Sequence, residues 1–302
     1  MREYLEYIRT VRRYSPRTVE IYAAVLQKFE EFLDGAPVSA QSVRAWEIHL
    51  LDDLKESPRT VNLSMSVLSG YCRFLVRTGR LESNPVRLVA RPKVGKRLPE
   101  FFRKDAMDEY FRSTTGVLEF GNYEQKLARI VIGFLYCTGI RRSELISLDR
   151  ESLDMGRKTL HVRGKGDKMR EIPLTDALCE EISLYLQSLD SLKESVDGPQ
   201  APLLQTSSGS RLYPMLVERI VRKELGGVEG MTARKSPHVL RHTLATELLD
   251  EGSDLNSIKE LLGHSSLAAT QVYTHNSIER LKTVYNNAHP RAKNGGKNGD
   301  QD

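Results

Sequence analysis

One segment without an acidic residue divides this chain of 302 residues and limits its fold more than any other feature. The segment is NPVRLVARPKVGKR, residues 84–97, and it holds two prolines and five basic residues. The prolines oppose a continuous helix, and the unbroken positive charge opposes burial. The sequence therefore predicts two domains, residues 1–85 and 98–290, joined by a basic linker over residues 86–97. That linker either lies free in solvent or follows a phosphate backbone.

The first 85 residues are predicted to form a helical bundle. SPRTVEIYAAVLQKFEEFL, from Ser15, offers a serine N-cap, a proline at the first helical position and apolar residues at helical spacing. SPRTVNLSMSVLSGYCRFLVRTG, from Ser57, repeats that opening and ends on Gly79, a suitable C-cap. A shorter helix, AQSVRAWEIHLLDDL, lies between them, so we expect four or five helices.

The second half is predicted to place helices around one small sheet. YEQKLARIVIGFLYCTGI reads as a strongly apolar helix, and KTLHVRGKGDKMREIPL contains two short alternating segments around Gly-Lys-Gly, which predicts a hairpin. Helical patterns return from TDALCEEISLYLQSL onward. The expected fold class is mainly α with a small antiparallel β-sheet (α+β). Residues 291–302 contain almost no apolar side chain and are expected to be disordered.

The positive charge is concentrated in the first half of the chain. Residues 1–97 hold 17 Lys and Arg against 11 Asp and Glu, a net charge of +6, whereas the whole chain carries +5. This asymmetry indicates a polyanionic partner that binds chiefly the first half, and a merely solvated charged face is the alternative. If the linker follows phosphates, the candidate contacts are Arg91, Lys93, Lys96 and Arg97.

The cysteines and the N-terminal residues favour a protein of the reducing cytoplasm. Cys72, Cys137 and Cys179 are odd in number, lack C-x-x-C spacing and have apolar neighbours. We therefore expect them to pack as small hydrophobes, not as disulfides or zinc ligands. The start, MREYLEYIRTVRRYSPR, lacks the apolar core of a signal peptide, and the sequence has no apolar run long enough for a membrane span.

Two histidines in SPHVLRHTLATEL suggest a zinc-protease motif, which the residue between them rules out. His238 and His242 have the spacing of a zinc-protease H-E-x-x-H motif, but Val239 stands at the glutamate position. His238 and Arg241 share one helix face, and a guanidinium beside an imidazole suits an anionic oxygen. A surface or capping role is the alternative for this pair.

Arg141 and Lys165 follow two different structural signals. Arg141 and Arg142 come directly after Thr-Gly-Ile at the end of an apolar helix, so they must face a cleft or find a partner, for which Glu144 is a candidate. Lys165 stands between two glycines at the predicted hairpin tip. There it is either solvated or able to reach into a groove.

The segment LLGHSSLAATQVYTH, residues 261–275, places His264 nine residues before Tyr273. Two arginines, a lysine, two histidines and a tyrosine, without the acidic cluster that a metal-dependent nuclease needs, favour phosphodiester chemistry with the tyrosine as nucleophile. A tyrosine has a pKa of about 10 and needs a base or cationic surroundings, which His264 is placed to supply.

The order and spacing of TGIRRSEL, GKGDKMREIPL, SPHVLRHTLATELLDEG and LLGHSSLAATQVYTH resemble the tyrosine recombinase (phage integrase) family over nearly the whole chain. Within that family the chain is similar to the short Xer site-specific recombinases. The resemblance implies a helical N-terminal core-binding (SAM-like) domain, a tyrosine recombinase catalytic domain, no cofactor and no metal. The catalytic residues that it implies are Arg141, Lys165, His238, Arg241, His264 and the nucleophile Tyr273.

The resemblance also implies the chemistry. The tyrosine would attack the scissile phosphate of double-stranded DNA and leave a 3′-phosphotyrosine with a free 5′-hydroxyl. Arg141, Arg241 and His264 would hold the non-bridging oxygens. Lys165 would protonate the departing 5′-oxygen, and His238 would assist proton transfer at the tyrosine.

The partners implied by the resemblance are DNA and other recombinase subunits. Because the helical half begins at Met1, we expect no additional arm-binding domain and a short recombination site. SIERLKTVYNNA, residues 277–288, either packs on its own domain or docks on a neighbour in a homo- or hetero-tetramer with a second Xer-type recombinase. A DNA translocase would be the regulator, and resolution of chromosome dimers at segregation the role. The alternatives are an integrase or transposase of a mobile element, a type IB topoisomerase, and a DNA-binding protein that has lost catalysis.

Overall fold

A computed structural model describes residues 1–95, 101–164, 168–228 and 234–263, and the chain divides into two compact units, Met1–Arg97 and Leu98–Asp302. The structure is rich in helices and contains a three-stranded antiparallel sheet, which confirms the predicted fold class. None of the helices in these described ranges is long and apolar enough to cross a membrane.

The helices of the N-terminal unit begin where their capping residues predict. Ser15 Oγ accepts a hydrogen bond from the Thr18 N–H at 3.2 Å, and Ser57 Oγ accepts one from the Thr60 N–H at 3.2 Å. A proline follows each serine, so the repeated S-P-R-T-V opening is one capping arrangement used twice. The helices are α1 (Arg2–Thr10), α2 (Pro16–Leu33), α3 (Ala40–Ile48) and α4 (Pro58–Arg77), and a π-helical turn, His49–Asp53, follows α3.

Aromatic side chains fill the core of this unit. Trp46 of α3 is 2% exposed and contacts Phe29 and Phe32 of α2, with ring centroids 5.7 and 5.2 Å apart. Tyr4 of α1 packs against Phe74 of α4 at 5.4 Å. Helices alone thus bury these rings, in agreement with a predicted helical bundle.

The predicted linker begins inside the N-terminal unit. Asn84 caps a short 3-10 turn, Pro85–Leu88, and both Val86 and Val89 are buried in the core of this unit. The predicted domain end at residue 85 is therefore too early. The burial of Val86 and Val89 extends the packed unit beyond residue 85, although basic residues lie near both valines in the sequence.

The basic residues that follow are fixed to α4. Arg91 Nη1 donates a hydrogen bond to Ser66 Oγ at 2.8 Å, and Asn62 Nδ2 donates one to the Pro92 carbonyl oxygen at 2.9 Å. Arg91 and Lys93 are exposed. The segment therefore presents these two cations from a fixed position on α4.

The helices of the second unit pack around α7, Tyr123–Thr138. This helix begins with a capping box between Asn122 and Gln125, and every residue from Leu127 to Thr138 is buried. α7 packs against α9, α10 and α11, so it forms the centre of the core. The other helices of the described part are α5 (Lys104–Ser113), α6 (Val117–Phe120), α8 (Arg142–Ile146), α9 (Asp176–Asp190), α10 (Pro214–Glu224), α11 (Pro237–Asp250) and α12 (Leu255–Leu262).

The predicted hairpin is present and forms most of the sheet. Strands β2 (Thr159–Arg163) and β3 (Met169–Pro173) pair antiparallel, with Leu160 opposite Ile172 and both side chains buried. A further strand, β1 (Leu153–Asp154), pairs with β2 and was not predicted. Two residues are too few to show an alternating pattern, so the sequence gives no signal for it.

The three cysteines are buried and unpaired, as predicted. Burial raises the pKa of Cys72 to about 11 and also raises the pKa of Cys179. Because a buried thiol with a raised pKa stays protonated, these cysteines act as small apolar side chains.

Glu247 of α11 is a buried carboxyl in the core of the second unit. Tyr136 Oη donates a hydrogen bond to its Oε2 at 2.8 Å, and its Oε1 has no hydrogen-bond partner among the described residues. Burial raises the pKa of Glu247 to about 7, with a further contribution from Asp108, while Tyr136 and Lys104 oppose the rise. The folded protein therefore favours the neutral acid.

We expect Glu247→Gln to stabilise the protein at pH 8 more than at pH 5. Since the folded pKa lies near 7 and the ordinary value is 4.5, the folded state retains a proton that the unfolded chain has lost, and stability falls as the pH rises through this window. The amide stays neutral throughout. The free energy of unfolding of the variant, relative to the unsubstituted chain, should therefore increase by about 2–3 kcal/mol from pH 5 to pH 8. Urea unfolding measures this difference, and an equal effect at both pH values would contradict it.

Candidate active site

The Thr-Gly-Ile-Arg segment turns the chain out of α7 and presents Arg141. Gly139 has φ +59°, and a Cβ there would lie 2.6 Å from Leu262 Cδ2, so any side chain would strain the backbone and force Leu262 to move. Arg141 then precedes α8. Its N–H donates to Glu144 Oε2 at 2.8 Å and its Nη1 donates to Glu144 Oε1 at 2.7 Å. The predicted contact with Glu144 is therefore confirmed.

Arg241 reaches the same place from α11. It is 7% exposed, its Nη1 donates to the Gly139 carbonyl oxygen at 2.5 Å, and its Nη2 donates to the Leu262 carbonyl oxygen. Burial, together with the positive charges of Arg141 and Arg170, lowers the pKa of Arg241 to about 10. The guanidinium still carries its charge at neutral pH, and a bound anion would stabilise that charge.

Arg170 of β3 is a third arginine of this cluster, and the sequence analysis missed it. Its Nη1 and Nη2 donate to Glu144 Oε1 and Oε2 at 3.0 and 2.8 Å, and its Nε donates to the Leu261 carbonyl oxygen at 3.3 Å. Arg170 is 6% exposed and lies on the same face of the strand as buried Ile172. An arginine at an inward position of an alternating strand was the signal that could have identified it.

Glu144 joins two of the arginines. Burial alone would raise the pKa of its carboxyl group, but hydrogen bonds from Arg170 and from the Arg141 N–H outweigh burial and lower it. Glu144 therefore remains a carboxylate that accepts from both guanidinium groups and so fixes their spacing.

The three arginines converge on the C-terminal end of α12, where each donates to one of three consecutive carbonyl oxygens. The last carbonyls of a helix have no partner within the helix and carry partial negative charge, so guanidinium donors both satisfy and attract them. Gly263 ends the helix with φ +65°, and the residue that follows is His264. The pairs are Arg170 with Leu261, Arg241 with Leu262, and Arg141 with Gly263.

The cluster carries excess positive charge. Three guanidinium groups stand against the one carboxylate of Glu144, a surplus of two positive charges within this set of four. Within the described residues, Arg141 and Arg241 each use two of their five N–H donors. Fixed guanidinium groups with donors to spare can bind an anion such as a phosphate.

The other side chains near these arginines differ in exposure. Arg142 is half exposed, and its Nη1 donates to Glu218 Oε1 of α10 at 2.6 Å. His238 is exposed in the first turn of α11, one turn before Arg241. His242 is also exposed. His238 is therefore open to a ligand next to the arginine cluster.

Three predicted residues, Lys165, His264 and Tyr273, lie outside the described residues. The chain on either side of Lys165 is described as far as Gly164, whose N–H donates to the Lys168 carbonyl oxygen at 2.8 Å. The structure thus brings Arg141 and Arg241 together, and the roles of the other candidates stay predictions.

Comparison with known families follows the two units. A profile of the phage integrase family matches residues 116–280, more than half of the chain and the part that contains both catalytic-candidate arginines. The chain belongs to the phage integrase family. A profile described as the phage integrase N-terminal SAM-like domain matches residues 1–79 of the same chain.

Relatives of this integrase family member include tyrosine recombinases. Tyrosine recombinase XerC of Chlorobaculum parvum is 34% identical over 96% of this chain and 94% of that relative. Tyrosine recombinase XerC of Bacillus subtilis is 35% identical over 96% of this chain and 95% of that relative. This member of the phage integrase family is therefore a tyrosine-type site-specific recombinase.

Solved structures share its fold. A XerH site-specific recombinase bound to a palindromic difH substrate matches with a TM-score of 0.67 and 20% identity, over 92% of this chain and 82% of that chain. A lambda integrase dimer bound to a COC′ core site matches with a TM-score of 0.62 and 21% identity, over 90% of this chain and 99% of that chain. At these identities the likeness shows the fold alone.

Proposed function

We propose that the six predicted residues form the DNA-cleavage site of this recombinase and that its substrate is a short recombination site in double-stranded DNA. One observation carries the proposal: Arg141 and Arg241, which are 100 positions apart in the sequence, both donate to the end of α12, directly before His264. A cationic cluster next to that histidine has the composition that an in-line attack on a phosphodiester needs.

The chemistry is a transesterification. The Tyr273 oxygen attacks the scissile phosphorus, a tyrosyl phosphate ester forms at the 3′ end, and the bond from phosphorus to the 5′-oxygen breaks. The 5′-oxygen takes its proton from Lys165. Because one phosphate ester replaces another, a 5′-hydroxyl can reverse the reaction and rejoin a strand without an external energy source.

The arginines and histidines have distinct roles in this proposal. Arg141 and Arg241 would donate to the non-bridging oxygens, whose negative charge increases as the phosphorus becomes five-coordinate. His264 would donate to the same phosphate. His238, exposed in the first turn of α11, would accept the proton that the tyrosine loses.

The test of this proposal is covalent trapping. The DNA sequence that the chain prefers would be selected from random duplexes, and a nick would be placed so that the cleaved strand loses a short fragment. The chain should then become joined to the 3′ end of the longer fragment. A chain that binds its selected site but never becomes joined to it would be the DNA-binding protein without catalysis.

The basic segment around Arg91 is proposed to contact DNA phosphates. Arg91 and Lys93 are exposed. Asn62 of α4 holds the Pro92 backbone between them, and Ser66 of α4 accepts a hydrogen bond from the Arg91 guanidinium. Cations on a fixed segment lose less conformational entropy when they bind than cations on a free tail do. This difference favours the interpretation that the segment follows the DNA backbone over that of a free linker. The remaining candidates, Lys96 and Arg97, lie outside the described residues.

We expect neutralising all four basic residues of this segment to weaken the salt dependence of DNA binding. Each lost phosphate contact should reduce the slope of log affinity against log salt by about one, so the total loss is up to about four. Fluorescence anisotropy at several salt concentrations measures the slope. The variant carries glutamine at Arg91, Lys93, Lys96 and Arg97.

A control variant that loses the same net charge shows whether lost phosphate contacts or lost charge alone changes the salt slope. It neutralises four exposed cations of the second unit that each pair with a carboxylate, and its slope should stay nearly unchanged. Equal slopes for the two variants would show that the segment is a linker that does not contact phosphates. The control positions are Arg103, Arg112, Arg157 and Lys158.

The proposed cellular role is that of a XerC-type recombinase, which resolves chromosome dimers at segregation in the cytoplasm. Support comes from relatives named XerC at 34–36% identity over nearly the whole chain. The integrase of the Tn1549 transposon, with 20% identity and a TM-score of 0.67, shares the fold, so a mobile-element integrase remains the second candidate.

Assembly on DNA is proposed to involve four subunits. They would be copies of this chain or pairs with a second Xer-type recombinase, and a DNA translocase would act as the regulator. The segment proposed to dock on a neighbour, residues 277–288, lies outside the described residues.

A further inference from the structure

Arg170 connects three separate parts of the second unit. It lies on β3, which follows Lys165 in the sequence. Its guanidinium binds both oxygens of Glu144 on α8 and donates to the Leu261 carbonyl oxygen at the end of α12. With 6% exposure, its guanidinium makes these contacts inside the protein. A buried arginine with this geometry holds neighbouring elements in place and has no free access to a substrate.

The contacts of Arg170 constrain Arg141 through a shared carboxylate. Glu144 Oε1 accepts from Arg141 Nη1 at 2.7 Å and from Arg170 Nη1 at 3.0 Å. Glu144 Oε2 accepts from the Arg141 N–H at 2.8 Å and from Arg170 Nη2 at 2.8 Å. Without Arg170, each oxygen of the carboxylate loses one of its two donors. Glu144 is then held only from the side of Arg141, and it fixes the Arg141 guanidinium less firmly.

The same side chain packs against the turn before His264. A Cβ on Gly263 would lie 3.1 Å from Arg170 Cδ and 3.2 Å from its Nε, so glycine permits the close approach of this turn to the guanidinium. The Arg170 Nε also bonds the carbonyl oxygen two residues earlier, at Leu261. The end of α12 is thus held by Arg170 as well as by Arg141 and Arg241.

We propose that Arg170 is a positioning residue for DNA cleavage: it fixes Arg141 through Glu144 and fixes the last turn of α12, and with it the start of the segment that carries His264. This inference rests on the proposed function of those two residues. Lysine cannot replace Arg170, since one ammonium group cannot bind two carboxylate oxygens and a carbonyl oxygen in the directions of the guanidinium fork.

A matched control exists within the same unit. Arg129 of α7 is 1% exposed and binds Glu181 with both terminal nitrogens, at 3.1 and 2.6 Å. It also donates to Thr114 Oγ1 at 2.9 Å. Arg129 therefore matches Arg170 in burial and in its two-pronged contact with glutamate, but it belongs to a different set of contacts.

The first measurement needs no activity. Amide hydrogen exchange compares Arg170→Lys with Arg129→Lys in the full chain without DNA. Loss of the charge-assisted contact to α12 should speed exchange in the last turn of α12 by about tenfold, and Arg129→Lys should leave that turn unchanged. Unchanged exchange in Arg170→Lys, or the same change in both variants, would overturn the proposal.

The second measurement is the rate of adduct formation at saturating DNA. Arg170→Lys should slow cleavage by about 10- to 100-fold, the effect expected from a small misplacement of a catalytic group, while DNA affinity stays unchanged. In a methylphosphonate, a methyl group replaces one non-bridging oxygen of the scissile phosphate and removes its negative charge. On this substrate Arg170→Lys should lose much less cleavage rate, because Arg141 has less charge to neutralise. Equal losses on both substrates, or a loss no larger than that of Arg129→Lys, would contradict the role.

The two measurements separate the two proposals. If the unsubstituted chain forms no adduct, the proposed function fails, and hydrogen exchange still decides whether Arg170 holds α12. If the unsubstituted chain forms the adduct and Arg170→Lys cleaves at the rate of Arg129→Lys, the proposed function stands and the positioning role is wrong.

Discussion

Tyr273→Phe should abolish the covalent protein–DNA adduct while DNA affinity stays within about fivefold, because one hydroxyl contributes about 1 kcal/mol through a hydrogen bond. The substitution removes only the oxygen that attacks phosphorus and keeps the ring. A labelled duplex, nicked as described above, would be incubated with the protein and separated on a denaturing gel. The retarded, protein-linked strand is expected with the unsubstituted chain and absent with the variant.

The control for this prediction is Tyr213→Phe. Tyr213 is an exposed tyrosine at the start of α10, so the control loses the same atom from another part of the surface. It should give the normal yield of adduct. A normal yield from Tyr273→Phe would remove Tyr273 as the nucleophile, whatever the binding affinity.

Lys165→Ala should slow cleavage by about 10²- to 10⁴-fold, the usual contribution of general acid–base catalysis. The departing 5′-alkoxide is a strong base and needs a proton in the transition state. A substrate with sulfur at the 5′-bridging position has a thiolate leaving group that departs without one. This substrate should therefore largely restore the rate of the variant, as measured by single-turnover cleavage.

Lys168→Ala is the matched control in the same hairpin. Lys168 is exposed, and only its backbone carbonyl oxygen receives the described bond from Gly164, which alanine keeps. It should cleave both substrates at nearly the normal rate. If Lys165→Ala loses equal activity on the oxygen and sulfur substrates, Lys165 binds the DNA and does not donate the proton.

Local signals in the sequence predicted most of the helices and the hairpin. Ser15 and Ser57 mark their helix starts through hydrogen bonds within one turn, and the two alternating segments around residues 164–166 identify β2 and β3. Such contacts join residues close in sequence, so composition and spacing report them directly. The end of the N-terminal unit depends instead on how Val86 and Val89 pack against distant helices, and spacing alone does not report that.

The candidate site shows the same division between local and distant contacts. The Arg141–Glu144 contact spans three positions and was predicted, whereas Arg170 meets Glu144 from 26 positions away and was missed. The motifs identified which residue types carry the chemistry. The three carbonyl contacts at the end of α12 depend on tertiary packing, and no pattern in the sequence indicated them.

The residue joined to DNA is the most direct test of the proposed chemistry. The trapped adduct would be digested with protease and nuclease, and tandem mass spectrometry would locate the nucleotide that remains on the chain. The proposed site predicts a phosphotyrosine linkage to the DNA 3′ end at Tyr273, within the peptide that contains LAATQVYTH. A linkage at any other residue, or to the 5′ end of the strand, would contradict it.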